Sequence, residues 1–114
     1  FADAKNKFGF ASGRSTHADR LKTIQDTFAD NQIMIDTHTA DGLKVAVPLA
    51  KPGVPLLVLE TALPIKFAAT LVEALGREPD CPAKFIGIES LPKRVQVLPT
   101  SVVAIKDYIA KHCN

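Results

Sequence analysis

Apolar positions recur every three to four residues after Thr16. Leu21, Ile24 and Phe28 fall on one face, with polar and charged residues between them. That period predicts an amphipathic helix over 16–30 that ends near Asn31. Ser15 or Thr16 is placed to cap it, and Asp19 stands three residues beyond Thr16, where a capping box needs its acidic partner. A shorter helix is predicted from about Thr39 to Ala46, stopping before Pro48. Pro48 to Pro55, with three prolines and one glycine, reads as a connector.

The pattern then changes. Val54-Pro55-Leu56-Leu57-Val58-Leu59 has no polar alternation, which predicts a strand covered on both faces, as in a parallel sheet. Pro64 suits the first turn of another helix, with Thr61 placed to cap it. Phe67, Leu71, Val72 and Leu75 form its buried stripe and Gly76 its stop. Phe85 to Ile88 and Arg94 to Leu98 are predicted strands. Thr100 or Ser101 caps a final helix that turns Val102, Ile105, Tyr108 and Ile109 inward. Near the start, Asp3 to Lys7 reads as a loop entering an element, and Phe8-Gly9-Phe10-Ala11 as a short apolar run. The order helix, helix, strand, helix, strand, helix is the logic of an α/β fold, expected as a single unit over 1–114.

Composition narrows the function classes. At 114 residues and 46% apolar content, the chain can bury one core. A formal charge of +2 gives no electrostatic basis for a nucleic-acid partner. The longest uncharged apolar run, Val54 to Leu59, is too short to span a bilayer, and the N-terminal residues lack the apolar core of a signal peptide. Cytoplasmic placement is therefore expected, with Cys81 and Cys113 as reduced, structural thiols. His17, His38 and His112 share no metal-type spacing, so no metal site is expected. The chain begins with Phe1 rather than Met, which reads as a start within a longer protein.

Three segments carry candidate chemistry. Asp36-Thr37-His38-Thr39-Ala40-Asp41-Gly42 gathers hydroxyls and amides at a helix N-terminus. It serves either as a plain helix cap, with Asp36 as the capping residue, or as a holder of an anion or polar ligand atom. Ser12-Gly13-Arg14-Ser15-Thr16 is either a structural turn or a phosphate contact through Ser12, Arg14 and Ser15. Glu60 and Thr61 lie at the carboxyl end of the predicted buried strand, where ligands of open α/β sheets gather, although Thr61 also serves as a cap. No Ser-His-Asp ordering and no P-loop is present.

From Ser12 through Arg20, and again from Ile35 through Gly42, the sequence resembles the threonine synthase family. The likeness continues in Leu59-Glu60-Thr61-Ala62-Leu63-Pro64-Ile65-Lys66-Phe67, in Ala74-Leu75-Gly76-Arg77-Glu78-Pro79 and in Leu91-Pro92-Lys93-Arg94. It looks like the C-terminal end of the longer bacterial and fungal type, and His38-Thr39-Ala40-x-Gly42 is its most specific element. The resemblance implies part of a three-layer α/β sandwich of the tryptophan-synthase-β-like, fold type II class. It implies a pyridoxal 5′-phosphate lyase that converts O-phospho-L-homoserine and water into L-threonine and phosphate.

Thr39 matches the hydroxyl that bonds the ring nitrogen of the cofactor, with His38 as a second candidate contact that orients Thr39 or lines the pocket. Ser12, Arg14 and Ser15 are candidates for the substrate. A neutral hydroxyl does not hold the ring nitrogen protonated, which tempers the electron sink. No catalytic residue is expected in this chain. The family's Schiff-base lysine and its loop for the cofactor phosphate lie upstream of the matching segment, so the missing N-terminal portion is the expected partner. Leu63 stands where many relatives have a histidine, which removes the polar group there. A truncated piece should also expose an apolar face larger than monomers usually carry. The competing class is a non-catalytic α/β module that binds a small ligand or mediates subunit contact.

Overall fold

The computed structural model describes residues 2–113. The chain divides into two compact units, Phe1–Pro82 and Ala83–Asn114.

In the first unit, α1 (Ala2–Phe8) is a short helix where a loop was expected. Its Asp3 and Lys7 form an i,i+4 ion pair at 3.2 Å, a spacing that supports helix. Helix α2 (His17–Asn31) follows, and its start is the predicted capping box. Thr16 Oγ1 accepts from the Asp19 amide at 3.2 Å, and Asp19 Oδ2 accepts from the Thr16 amide at 3.0 Å. Gln32 ends the helix in the left-handed region, its amide donating to the Phe28 carbonyl.

Helix α3 (Thr37–Ala46) begins two residues earlier than predicted because Asp36 caps it, and it passes into a 3-10 turn at Val47–Leu49. A second 3-10 turn (Pro64–Phe67) leads into α4 (Ala68–Leu75), which Gly76 closes at φ 67° as predicted. Thr61 does not cap this element; Leu63 holds the N-cap place without a side-chain bond.

Helix α2 packs on both α3 and α4. Ile24, Ile35, Ala40, Leu71 and Ala74 form the buried core, with Leu21, Met34, Leu43, Phe67 and Leu75 against it. Of the predicted α4 stripe, Phe67, Leu71 and Leu75 join the core, Val72 does not, and Ala74 takes part in its place. The Gln25 amide donates to the Ala74 carbonyl at 2.9 Å and fixes α2 against the end of α4.

The expected strands do not form: among the described residues the structure has helices and 3-10 turns only. Val54 closes a turn, its amide donating to the Lys51 carbonyl at 3.1 Å, and the residues after it to Leu59 have no regular structure and are largely exposed, with Leu57 at 85%. A strand needs a second backbone to receive its amides and carbonyls, and among the described residues none runs beside it. Only Val58 tucks in, at a place where α3 carries Gly42; a Cβ on Gly42 would stand 3.1 Å from Val58 Cγ1. The α/β sandwich expected from sequence is therefore not present among the described residues.

The second unit holds 3-10 turns at Ala83–Phe85 and Ile88–Ser90, a stretch without regular structure, and α5 (Val102–His112). Ser101 caps α5 as predicted, accepting from the Ala104 amide at 3.4 Å. The predicted strand at 85–88 is broken by Gly87 at φ 77°, and 94–98 has no regular structure, with Val97 at 87% exposure. Val102, Ile105 and Ile109, expected inward, are exposed.

Candidate functional site

The site builds from the turn that starts α3. A helix leaves its first four amides without intrahelical acceptors, and a buried start must satisfy them with side chains. Asp36 does so. Its Oδ1 accepts from the His38 amide at 2.8 Å, and its Oδ2 accepts from the Thr39 hydroxyl. Asp36 is completely buried, whereas Thr39 retains 7% of its surface. His38 is mostly exposed; its Nδ1 lies 3.2 Å from Thr37 Oγ1 and 3.5 Å from Asp36 Oδ1. The His38 ring leans on Phe67, centroids 4.9 Å apart at 44°. The turn thus presents a polar face whose inner layer is one sealed carboxylate.

Two ion pairs hold α3 to α2, one near its start and one in its last turn. Arg20 Nη2 donates to Asp41 Oδ2 at 2.6 Å while its Nε reaches both carboxylate oxygens at 3.1 and 3.2 Å. Burial pushes the Asp41 carboxyl up, but bonds from Arg20 and then Ser15 outweigh it and leave the carboxyl below its ordinary range. Asp41 in turn raises Arg20. Lys44 lies 2.8 Å from Asp19, and with the Thr16 bonds it holds that carboxyl far down. Asp41 therefore acts as a tie between α2 and α3. A third exposed contact, His17 Nε2 to Glu73 at 3.0 and 3.1 Å, links α2 to α4.

The Ser12–Thr16 loop comes against α3 because Gly13 has no side chain: a Cβ there would stand 2.7 Å from Val45 Cγ1. Ser12 and Arg14 are exposed, and Ser15 is half-buried beside Asp41, its Oγ 3.5 Å from the Thr16 carbonyl. Glu60, Thr61 and Leu63 are exposed. Thr39 and His38 are brought together on one turn. An open groove between α2 and α3, lined by Thr23, Thr27, Leu43 and Val47 among others, includes none of the predicted site residues.

Sequence reasoning missed the Asp36–Thr39 bond and the Arg20–Asp41 tie. The first had a signal in the Asp-x-x-Thr spacing, since N-cap and N3 side chains face each other across the first turn. The second pairs residues 21 apart and had no local signal. Cys81 and Cys113 are free thiols, as expected, but both are exposed rather than packed. Among the described residues no group of three His, Cys, Asp or Glu side chains gathers as a metal site, and no helix is long and apolar enough to cross a membrane.

Residues 39–109, more than half of the chain, match the family model described as threonine synthase, C-terminal. The chain belongs to the threonine synthase C-terminal family. Thr39 is the first residue of the matched region. The threonine synthase of Methylobacillus glycogenes is 50% identical over 92% of this chain and 22% of its own length. That of Corynebacterium glutamicum is 49% identical over 96% of this chain and 23% of its own. Among solved structures, the crystal structure of PLP-bound threonine synthase from Brucella melitensis superposes with a TM-score of 0.74 at 32% identity, covering 90% of this chain and 22% of that one. The chain thus spans about a fifth of the threonine synthases it matches.

Proposed function

We propose that this chain is the C-terminal portion of a cytoplasmic threonine synthase of fold type II, which converts O-phospho-L-homoserine and water into L-threonine and phosphate. The upstream portion of the same polypeptide supplies the Schiff-base lysine and the cofactor-phosphate loop, and the chain alone is inactive. Pyridoxal 5′-phosphate, when bound, supplies an electron-withdrawing ring. The donor set at the start of α3 fits such a group. Thr39 offers a hydroxyl anchored on Asp36, on a residue that keeps 7% of its surface, and the exposed His38 ring precedes it on the same turn, backed by Phe67.

The observation that carries the reading is the Thr39 hydroxyl fixed on a sealed carboxylate at the first residue of the family match. Thr39 contacts the ring nitrogen, and His38 lines the same face. Ser12 and Arg14, on the surface of the loop that packs on α3, meet the substrate phosphate; Arg is suited to phosphate by its forked donors. Ser15, half-buried on the same loop, is a third contact for that phosphate.

The test uses the longer protein that carries this chain. Thr39→Ala leaves the far-ultraviolet circular dichroism unchanged and lowers turnover by roughly tenfold to a hundredfold, the scale of one lost hydrogen bond to a charged or polar group. Wild-type turnover in that variant overturns the assignment.

A further inference from the structure

Gly13 is the point at which the Ser12–Thr16 loop meets α3. A Cβ at this position would stand 2.7, 3.1 and 3.4 Å from Cγ1, Cγ2 and Cβ of Val45. Non-bonded carbons rest about 3.5–4.0 Å apart, so the loop backbone lies roughly 0.8 Å closer to Val45 than a residue with a side chain allows. Turning Val45 about χ1 gives no relief, because its branch carbon and both methyls crowd the position and a helical valine holds one rotamer. Helix α3 cannot retreat either. Arg20–Asp41 at 2.6 Å and Lys44–Asp19 at 2.8 Å fix it on α2, and Ala40 is sealed in the core. Gly13 itself is exposed, and it is not one of the glycines with positive φ. An alanine there suits the backbone and meets Val45 alone, so the exposed loop is the part that yields.

At its other end the loop is pinned to α2 by Thr16, whose hydroxyl and amide both donate to Asp19 Oδ2, at 2.7 and 3.0 Å. Only Arg14 and Ser15 lie between the two pins, and Ser12 adjoins the first. Arg14 makes no ion pair among the described residues. A serine hydroxyl sits one bond beyond Cβ and cannot follow a ligand when its backbone withdraws, since a contact stretched to about 3.6 Å is no longer a hydrogen bond. The long Arg14 side chain can follow.

We propose that Gly13 is a positioning residue for the substrate phosphate: the approach to Val45 that its missing side chain permits sets the reach of the Ser12 and Ser15 hydroxyls. The inference rests on the reading that Ser12, Arg14 and Ser15 meet that phosphate. Arg14 supplies charge, and Gly13 fixes the distance at which the two serines add their hydrogen bonds.

The test uses the full-length holoenzyme, with inorganic phosphate as the probe and its inhibition constant read beside kcat/KM. In Gly13→Ala the inhibition constant rises about tenfold, the scale of one hydrogen bond lost to a charged group, and kcat/KM falls by a similar factor. Cofactor affinity stays at the wild-type value; a parallel loss of cofactor overturns the assignment to phosphate. Gly13→Ala combined with Val45→Ala carries the methyl without the overlap and restores phosphate inhibition. A loss that persists there overturns the proposal, and this arm can be read even where the single variant folds poorly. Added to Ser12→Ala with Ser15→Ala, Gly13→Ala has no further effect, whereas on Arg14→Ala it keeps its full factor. Equal factors on the two backgrounds overturn the proposal. Wild-type inhibition in Gly13→Ala, with a raised constant in Ser12→Ala or Arg14→Ala, overturns the role of Gly13 alone. Wild-type inhibition in Ser12→Ala, Arg14→Ala and Ser15→Ala overturns the phosphate reading beneath it.

Discussion

The Arg20–Asp41 pair holds the start of α3 on α2, and its worth can be worked from its geometry. The two side chains keep 29% and 31% of their surface, and three N–H···O contacts of 2.6 to 3.2 Å join them. Unit charges about 4 Å apart at an effective dielectric near 20 attract by about 4 kcal/mol. Partial desolvation and the ordering of a long side chain remove much of that. Exposed pairs retain about 0.2–1 kcal/mol, and breaking a buried pair costs about 3–5 kcal/mol. A forked, two-thirds-buried pair falls between, at about 1.5 kcal/mol of coupling.

A double-mutant cycle of Arg20→Ala, Asp41→Ala and the double variant, read by urea unfolding of the purified protein with circular dichroism, measures this coupling. Its pH dependence has a definite sign. The folded-state pKa of Asp41 is lowered, so the pair's stabilisation is complete above the unfolded value of ~3.9 and is lost as pH falls through the lower folded value. Asp41→Asn removes that part of the acid-side slope. A coupling below about 0.3 kcal/mol at neutral pH, or one that persists unchanged to the most acid conditions, refutes the reasoning.

Two further outcomes are expected. Leu71→Ala empties a fully buried position between α2 and α4 and should cost about 2–5 kcal/mol, read as a fall in the urea midpoint with the slope unchanged. Gly13→Ala should cost about 1–3 kcal/mol, because its methyl would stand 2.7 Å from Val45 Cγ1; most of that loss returns in the Gly13→Ala, Val45→Ala double variant, and a neutral single variant would show that the loop does not press on α3.

What the sequence made legible was chemistry completed within a few residues. The Thr16–Asp19 box, the Asp36 cap, the Gly76 stop and the Ser101 cap each need only neighbours along the chain, and all are present. The helical register of α2 and α4 was readable because a 3.6-residue period survives whatever packs on it. The strands were not, because a strand is defined by a partner. Val54–Leu59 has the composition of a covered strand and lies open for want of one. Helix α1 was missed although Asp3 and Lys7 stand at pairing distance, because the charged run around them resembles a loop. At the candidate site, the residue types were visible, and the Asp-x-x-Thr spacing carried a signal for the Asp36–Thr39 bond that went unused, whereas the Arg20–Asp41 tie joins residues too far apart in the chain to leave one.

The open ribbon at Val54–Leu59 has a consequence for handling the molecule at high concentration. Unpaired backbone flanked by bare leucines invites neighbouring molecules to add on edge to edge, and fibrillar stacking draws on six- or seven-residue windows free of charge and proline. Here Pro55 withholds an amide at one end and Glu60 plants a charge at the other, which trims the adhesive run to Leu56, Leu57, Val58 and Leu59. Val58 is further withdrawn by its seat against Gly42. Too short to nucleate a stack, the remnant is still greasy enough to cause amorphous clumping, and replacing Pro55 or Glu60 with an aliphatic residue would lengthen it into the hazardous range.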